Sequence, residues 1–121
     1  MIEVNEYVRT KKGSIDKVIN PNYYMSIYVE CEKGMYLLDN VVKHRKQPID
    51  LIEVGDIVRI RTGLYSSFME FIDNEECLLI LKEQVKKFWA IEEILTKEQF
   101  EANCYKVGEE DGNWKRILRI L

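Results

Sequence analysis

Several ingredients are scarce in this chain of 121 residues. It has one histidine, two prolines, six glycines that never cluster, and three cysteines with no local pair. Neither GxGxxG nor GxxxxGK[ST] occurs, so the glycines make no phosphate cradle. Cys31, Cys77 and Cys104 lack the C-x₂₋₄-C clasp of a structural zinc site, so no metal or other cofactor is expected. The start, Met1-Ile2-Glu3-Val4-Asn5-Glu6, carries acids where a secretory leader carries cations. No apolar run nears the ~20 residues of a membrane span. Three unpaired cysteines and no leader predict a reducing, cytoplasmic setting, with the cysteines as small buried hydrophobes.

Excess charge of one sign is also missing. The net charge is −3, which argues against general coating of nucleic acid. Residues 1–61 carry 10 Lys/Arg against 9 Asp/Glu, and residues 62–121 carry 8 against 12. A solvated acidic face accounts for the second half; a partner with a basic surface is the sharper alternative.

What the chain does have is turn-punctuated apolar segments. In IDLIEVGDIVRIR (residues 49–61), an apolar run meets Gly55-Asp56 and then a strand of Ile, Val and Arg. Tyr7-Val8-Arg9-Thr10 likewise runs through Lys11-Lys12-Gly13 into Ser14-Ile15-Asp16-Lys17-Val18. Glycine admits the positive φ of a tight reversal, and β-branched neighbours favour extended backbone. These signals predict a mainly β fold: a single domain over 1–121, with an SH3-like small barrel at 6–62, a second meander with one helix at 63–107 and a tail at 108–121.

Along the chain, Ile19-Asn20-Pro21-Asn22 reads as a turn. Tyr23–Cys31 reads as a strand with Tyr23, Met25, Ile27, Val29 and Cys31 facing the core. Glu32-Lys33-Gly34 turns it into Met35–Leu38. Asp39–Pro48 reads as a connector, and Ile49–Ile52 as a bend plugging the barrel. Strands are expected at Ile57–Thr62, Ser67–Ile72, Cys77–Leu81 (buried on both faces) and Val85–Ile91. Thr96-Lys97-Glu98-Gln99 fits a capping box opening a two-turn helix that ends at Asn103. Cys104–Val107 reads as a strand. In the tail, Trp114, Ile117, Leu118 and Leu121 fall at helical spacing, which slightly outweighs the strand alternative.

Three blocks together resemble a family of small proteins carried by phages and prophages of Gram-positive bacteria. They are Glu6–Gly13 (EYVRTKKG); Val42-Lys43-His44 with Ile49–Asp56 (IDLIEVGD); and Thr96–Glu101 (TKEQFE) with Tyr105–Gly108 (YKVG). The resemblance spans residues 6–108, is most specific in the middle block, and lapses over Arg61–Lys87. It implies a phage accessory protein in the cytoplasm of an infected host. Such genes often encode antagonists of host defence, CRISPR inhibitors included, and the family offers no catalytic residue to transfer.

Site candidates follow from residue chemistry. His44 stands among Lys43, Arg45 and Lys46, which oppose its protonation, but spacing assigns it no nucleophile or orienting partner. Adjacent acids such as Glu92-Glu93 point to opposite faces of a strand and cannot flank one bond. Arg9, Lys11, Lys12 and Lys17 could join Lys43, His44, Arg45 and Lys46 in one basic patch, with Tyr23, Tyr24 and Tyr28 as stacking faces. Because the molecule as a whole is acidic, lysines that solubilise an edge strand are the favoured reading of these residues. Trp114, Ile117, Leu118 and Leu121 form a candidate protein interface, or a cover for the protein's own barrel mouth. The expected function is non-enzymatic: stoichiometric binding to a host protein, a defence component among the candidates, with a nucleic-acid or nucleotide-binding barrel as the alternative. Association with a second copy is open.

Overall fold

In the computed structural model, which describes residues 1–104, the chain is mainly β, with eight strands in two antiparallel sheets. The first sheet comprises β1 (Tyr7–Thr10), β2 (Ile15–Asn22), β3 (Tyr28–Cys31), β4 (Met35–Leu37) and β5 (Val41–Arg45), in the spatial order β4-β3-β2-β1-β5. The second comprises β6 (Ile57–Arg61), β7 (Ser67–Phe71) and β8 (Ala90–Leu95), ordered β7-β6-β8. Helix α1 (Tyr23–Ser26) is a single turn, α2 (Glu75–Lys87) is the long helix, and α3 (Lys97–Asn103) follows β8.

The mainly β class agrees with the sequence reading, but the barrel does not form. Both sheets stay open among the described residues, and β6, expected to complete the first barrel, nucleates the second sheet instead. The expected turn at Gly13 (φ 90°) joins β1 to β2, with Val8 opposite Asp16. The residues expected to turn at 19–22 continue β2, because a register shift between Val18 and Asn20 lets β3 pair on. Tyr23–Cys31 is not one strand: Met25 takes a left-handed backbone (φ 59°) and α1 interrupts it. Of its expected core face, Val29 and Cys31 are buried, whereas Tyr23, Met25 and Ile27 are exposed. The connector at 39–48 contains β5, which pairs with β1. Ile49–Ile52 does bend, as a 3₁₀ turn over Pro48–Leu51, and buries Leu51 and Ile52.

The largest departure is α2. Cys77–Leu81 lies within this helix, as does the start of the expected 85–91 strand. The Asn74 side chain accepts from the Cys77 N–H (2.8 Å), Glu75 and Glu76 occupy the first turn, and Lys86 and Lys87 the last. Both ends therefore suit the helix dipole, and Leu78 and Leu81, three apart, are the pair that buries. The capping box at Thr96 and Gln99 is present as read, and Asn103 closes α3. Cys104 lies in a bend; the remainder of the expected 104–107 strand and the 108–121 tail lie outside the described residues.

Two hydrophobic clusters result. One joins Val8, Val18, Val29 and Cys31 within the first sheet. The other joins Ile52, Val58, Ile60, Ile72, Leu78 and Leu81 between the second sheet and α2.

Candidate functional site

The best-built polar cluster lies where the two sheets meet. Val8 and Arg9, adjacent on β1, point to opposite faces of the strand. Val8 enters the first core, and Arg9 crosses to the second unit, where it is 1% exposed. Its Nη1 donates to the Leu51 carbonyl (2.9 Å) and to Asp56 Oδ2 (2.6 Å). Its Nη2 donates to Asp56 Oδ1 (3.0 Å) and Glu98 Oε1 (2.7 Å), and Nε stands 3.7 Å from Glu53 Oε2. A guanidinium offers five N–H donors, and here four are hydrogen-bonded while Nε faces Glu53 at ion-pair distance only.

Asp56, fully buried, also accepts from the backbone N–H of Glu53 (2.7 Å) and of Lys97 (2.9 Å). The tight turn at Gly55 (φ 100°) allows this, because the carboxylate folds back over its own loop. Lys97 Nζ meets Glu53 Oε1 at 2.9 Å, and Lys43 Nζ lies 3.6 Å from Glu53 Oε2. Thr96 donates through Oγ1 to the Gly13 carbonyl (2.9 Å) while capping α3, which ties the first turn to the last described helix. Three cations and three carboxylates thus close on one another.

Their titration follows the contacts. Burial works against the Arg9 charge, but Asp56, Glu53 and Glu98 outweigh it and raise its pKa. Burial likewise pushes the Glu53 carboxyl up, yet Lys97, Arg9 and Lys43 bring it below its ordinary value. Lys97 is raised, first by its hydrogen bond to Glu53. Within this clasp the four Nη donors of Arg9 are spent inside the molecule.

That clasp dismantles the expected basic patch. Arg9 is an interior residue, unable to reach a phosphate, and Lys43 is held against Glu53. His44 sits on the face opposite Lys43, with Nδ1 3.0 Å from Glu6 Oε1. Burial would raise the Glu6 carboxyl; the Glu3 N–H and His44 more than offset that, and its pKa falls. Lys17 is half-buried and lines a cleft together with Glu32, Glu92 and Glu93. Lys11, Lys12, Arg45 and Lys46 remain exposed, and Arg45 Nη1 donates to the His44 carbonyl (2.6 Å). Of the proposed stacking tyrosines, Tyr23 pairs with Tyr28 in an isolated bridge across α1. Trp114, Ile117, Leu118 and Leu121 lie outside the described residues.

Cys31 alone fulfils the buried-hydrophobe reading: burial, with Asp16 and Glu30 nearby, pushes its thiol up to about 12. Cys77 is half-buried and its Sγ donates to Glu70 Oε1 at 3.7 Å. Asp16 is buried and accepts from the backbone of Lys17 and Lys33 and from the Tyr36 hydroxyl, which burial and that carboxylate push up to about 12.

Sequence reasoning recognised Asp56 and Thr96 only as turn and cap residues, and gave Glu53, Lys97 and Glu98 no partner. The available signal was an arginine alternating with valine on a strand otherwise fit for burial. Its acids stand 47 and 89 residues away, beyond any local pattern.

A second feature is apolar and exposed. At the end of the second sheet where β6 finishes and β7 and β8 begin, Leu64 and Tyr65 are 86% and 98% exposed. Phe68 and Met69 follow on β7, and Phe68 meets Trp89 edge-on, with ring centroids 5.4 Å apart. Phe88, at the α2 C-cap beside Trp89, is 77% exposed.

Fold and clusters together define a two-sheet, mainly β domain whose sheets are joined by an internal ionic clasp. No protein-family model matches the chain, nor does any curated protein or solved structure.

Proposed function

We propose that this protein acts without catalysis, by stoichiometric binding to another protein through the exposed end of its second sheet. The observation that carries the reading is the concentration of Leu64, Tyr65, Phe68 and Phe88 at that end. Aromatic residues, Met and Arg are the types enriched where proteins meet, and a few such anchors dominate interface energy. Arg59 and Arg61 flank the patch on β6, paired with Glu93 (3.1 Å) and Glu92 (3.0 Å), and supply a polar rim. Exposed large apolar groups in a cluster favour a partner that desolvates them. The resemblance to phage-borne proteins makes a host protein the partner of choice, a component of host defence among them, in the cytoplasm of the infected cell.

The nucleic-acid reading loses support from the same geometry. Arg9 and Lys43 are neutralised by carboxylates, and His44 turns to Glu6.

The test is affinity capture from host lysate with the intact protein and with Tyr65→Asp and Phe88→Asp, both at exposed positions. The reading expects one host protein held near one-to-one, lost in both variants while their circular dichroism is unchanged. A complex that survives both substitutions, or a lysate that yields no stoichiometric partner, overturns it.

A further inference from the structure

We infer that the free edge of β4 is a self-pairing surface, at which two copies of this chain join across a two-fold axis with Met35–Leu37 running antiparallel to itself. This stands apart from the patch at Leu64–Phe88 and does not depend on it.

The backbone supplies the first argument. Among the described residues β4 ends the first sheet, with β3 on one side. The Cys31 N–H donates to the Gly34 carbonyl (2.8 Å) and the Leu38 N–H to the Ile27 carbonyl (2.8 Å). In an antiparallel pair closely bonded positions alternate with open ones, so Cys31/Gly34, Val29/Tyr36 and Ile27/Leu38 are the bonded pairs. Met35 and Leu37 fall between them. Their N–H and C=O groups therefore point away from β3, toward the free edge. A two-fold through Tyr36 sets Met35 against Leu37 of the second copy, and Leu37 against its Met35. Each outward donor then meets an outward acceptor, and the edge is complementary to itself.

Side chains supply the second. Natural edge strands are guarded by lysine, proline or a bulge. Met35-Tyr36-Leu37 has none of these, and Met35 and Leu37 are 52% and 42% exposed. Ile27 and Leu38, also exposed, adjoin it. The two-fold would lay Met35 on Leu37 twice, on a face now open to water.

Charge supplies the third. Three residues either side of Tyr36 stand Lys33 and Asp39, both exposed, with no ion pair to either among the described residues. The two-fold brings Lys33 of each copy toward Asp39 of the other, and the long lysine stem bridges the 3₁₀ turn that begins at Leu38.

Sedimentation velocity of the full chain, from micromolar to several hundred micromolar, reads the outcome. A concentration-dependent species at twice 14.4 kDa is expected. Leu37→Pro isolates the edge: Leu37 has φ −61° and ψ 136°, which proline adopts without strain, and the donor it loses faces outward. This variant should dissociate at least about tenfold more readily, with circular dichroism and melting temperature retained. Lys33→Glu and Asp39→Lys provide a second route at exposed positions. Each alone opposes like charges and should be monomeric, whereas an equimolar mixture restores both ion pairs and should form a one-to-one dimer. A wild-type chain that stays monomeric throughout overturns the inference. So does a dimer that is indifferent to Leu37→Pro, or a mixture that fails to associate.

Discussion

The two sheets of this molecule solve the same problem with unequal means. The second closes six aliphatic residues between its strands and a thirteen-residue helix. The first has four buried core residues, three valines and a cysteine, with the single turn of α1 and the short 3₁₀ turn at Pro48–Leu51 beside it. It leaves Met25, Ile27, Met35 and Leu37 exposed. Apolar area sets the favourable side of folding, so the second unit is the natural anchor and the first the dependent.

Polar interior bonds make up the difference. Asp16 gathers three donors within the first sheet, and Arg9 reaches out of it to Leu51, Asp56 and Glu98. A buried ion pair is weak evidence for net stability, because desolvation offsets attraction; its removal from one side is another matter. The clasp therefore specifies how the sheets dock more than it strengthens either.

The sharpest way to break this comparison is Asp56→Ala. It removes two of the four hydrogen bonds of the buried Arg9 guanidinium and frees the N–H groups of Glu53 and Lys97. Urea unfolding should show a loss of about 3–5 kcal/mol. Hydrogen exchange should show protection lost first across β1–β5, while β6–β8 and α2 keep theirs. A uniform loss in both sheets would mean that the two units are not unequal in this way.

Acid gives a milder test of the same asymmetry. Glu53 and Glu6 have folded pKa values below the ordinary 4.5, so their contribution is complete above that pH and is lost as pH falls through the lowered values. Lys97 and Arg9 are raised and lose theirs only in strong alkali. The melting temperature should hold level from neutrality to about pH 4.5 and then fall. Glu53→Gln should flatten that fall, and a melting temperature that rises on acidification would contradict the assignment.

Local chemistry made much of the fold legible. Gly13 and Gly55 gave their turns, and Thr96 with Gln99 its cap, because each acts over a few residues. The apolar run Cys77-Leu78-Leu79-Ile80-Leu81 has a period that fits strand or helix; Asn74-Glu75-Glu76 ahead and Lys86-Lys87 behind are the signals that decide for the helix α2. β6 was recognised as a strand but given to the wrong sheet, since pairing between distant segments leaves no local mark. The clasp was hidden for the same reason. Arg9 looked like a surface cation beside Lys11 and Lys12, and only the fold reveals that it points inward.

The most direct test of the clasp is Arg9→Lys, which keeps the positive charge and removes the planar fork. A lysine offers three donors and cannot make the paired bonds to Asp56 along with those to Leu51 and Glu98. Urea denaturation is expected to show a loss of several kcal/mol, on the order of that for a broken buried pair. A change within about 0.5 kcal/mol, as for an ordinary surface cation, would contradict the claim that Arg9 is the bond between the two sheets.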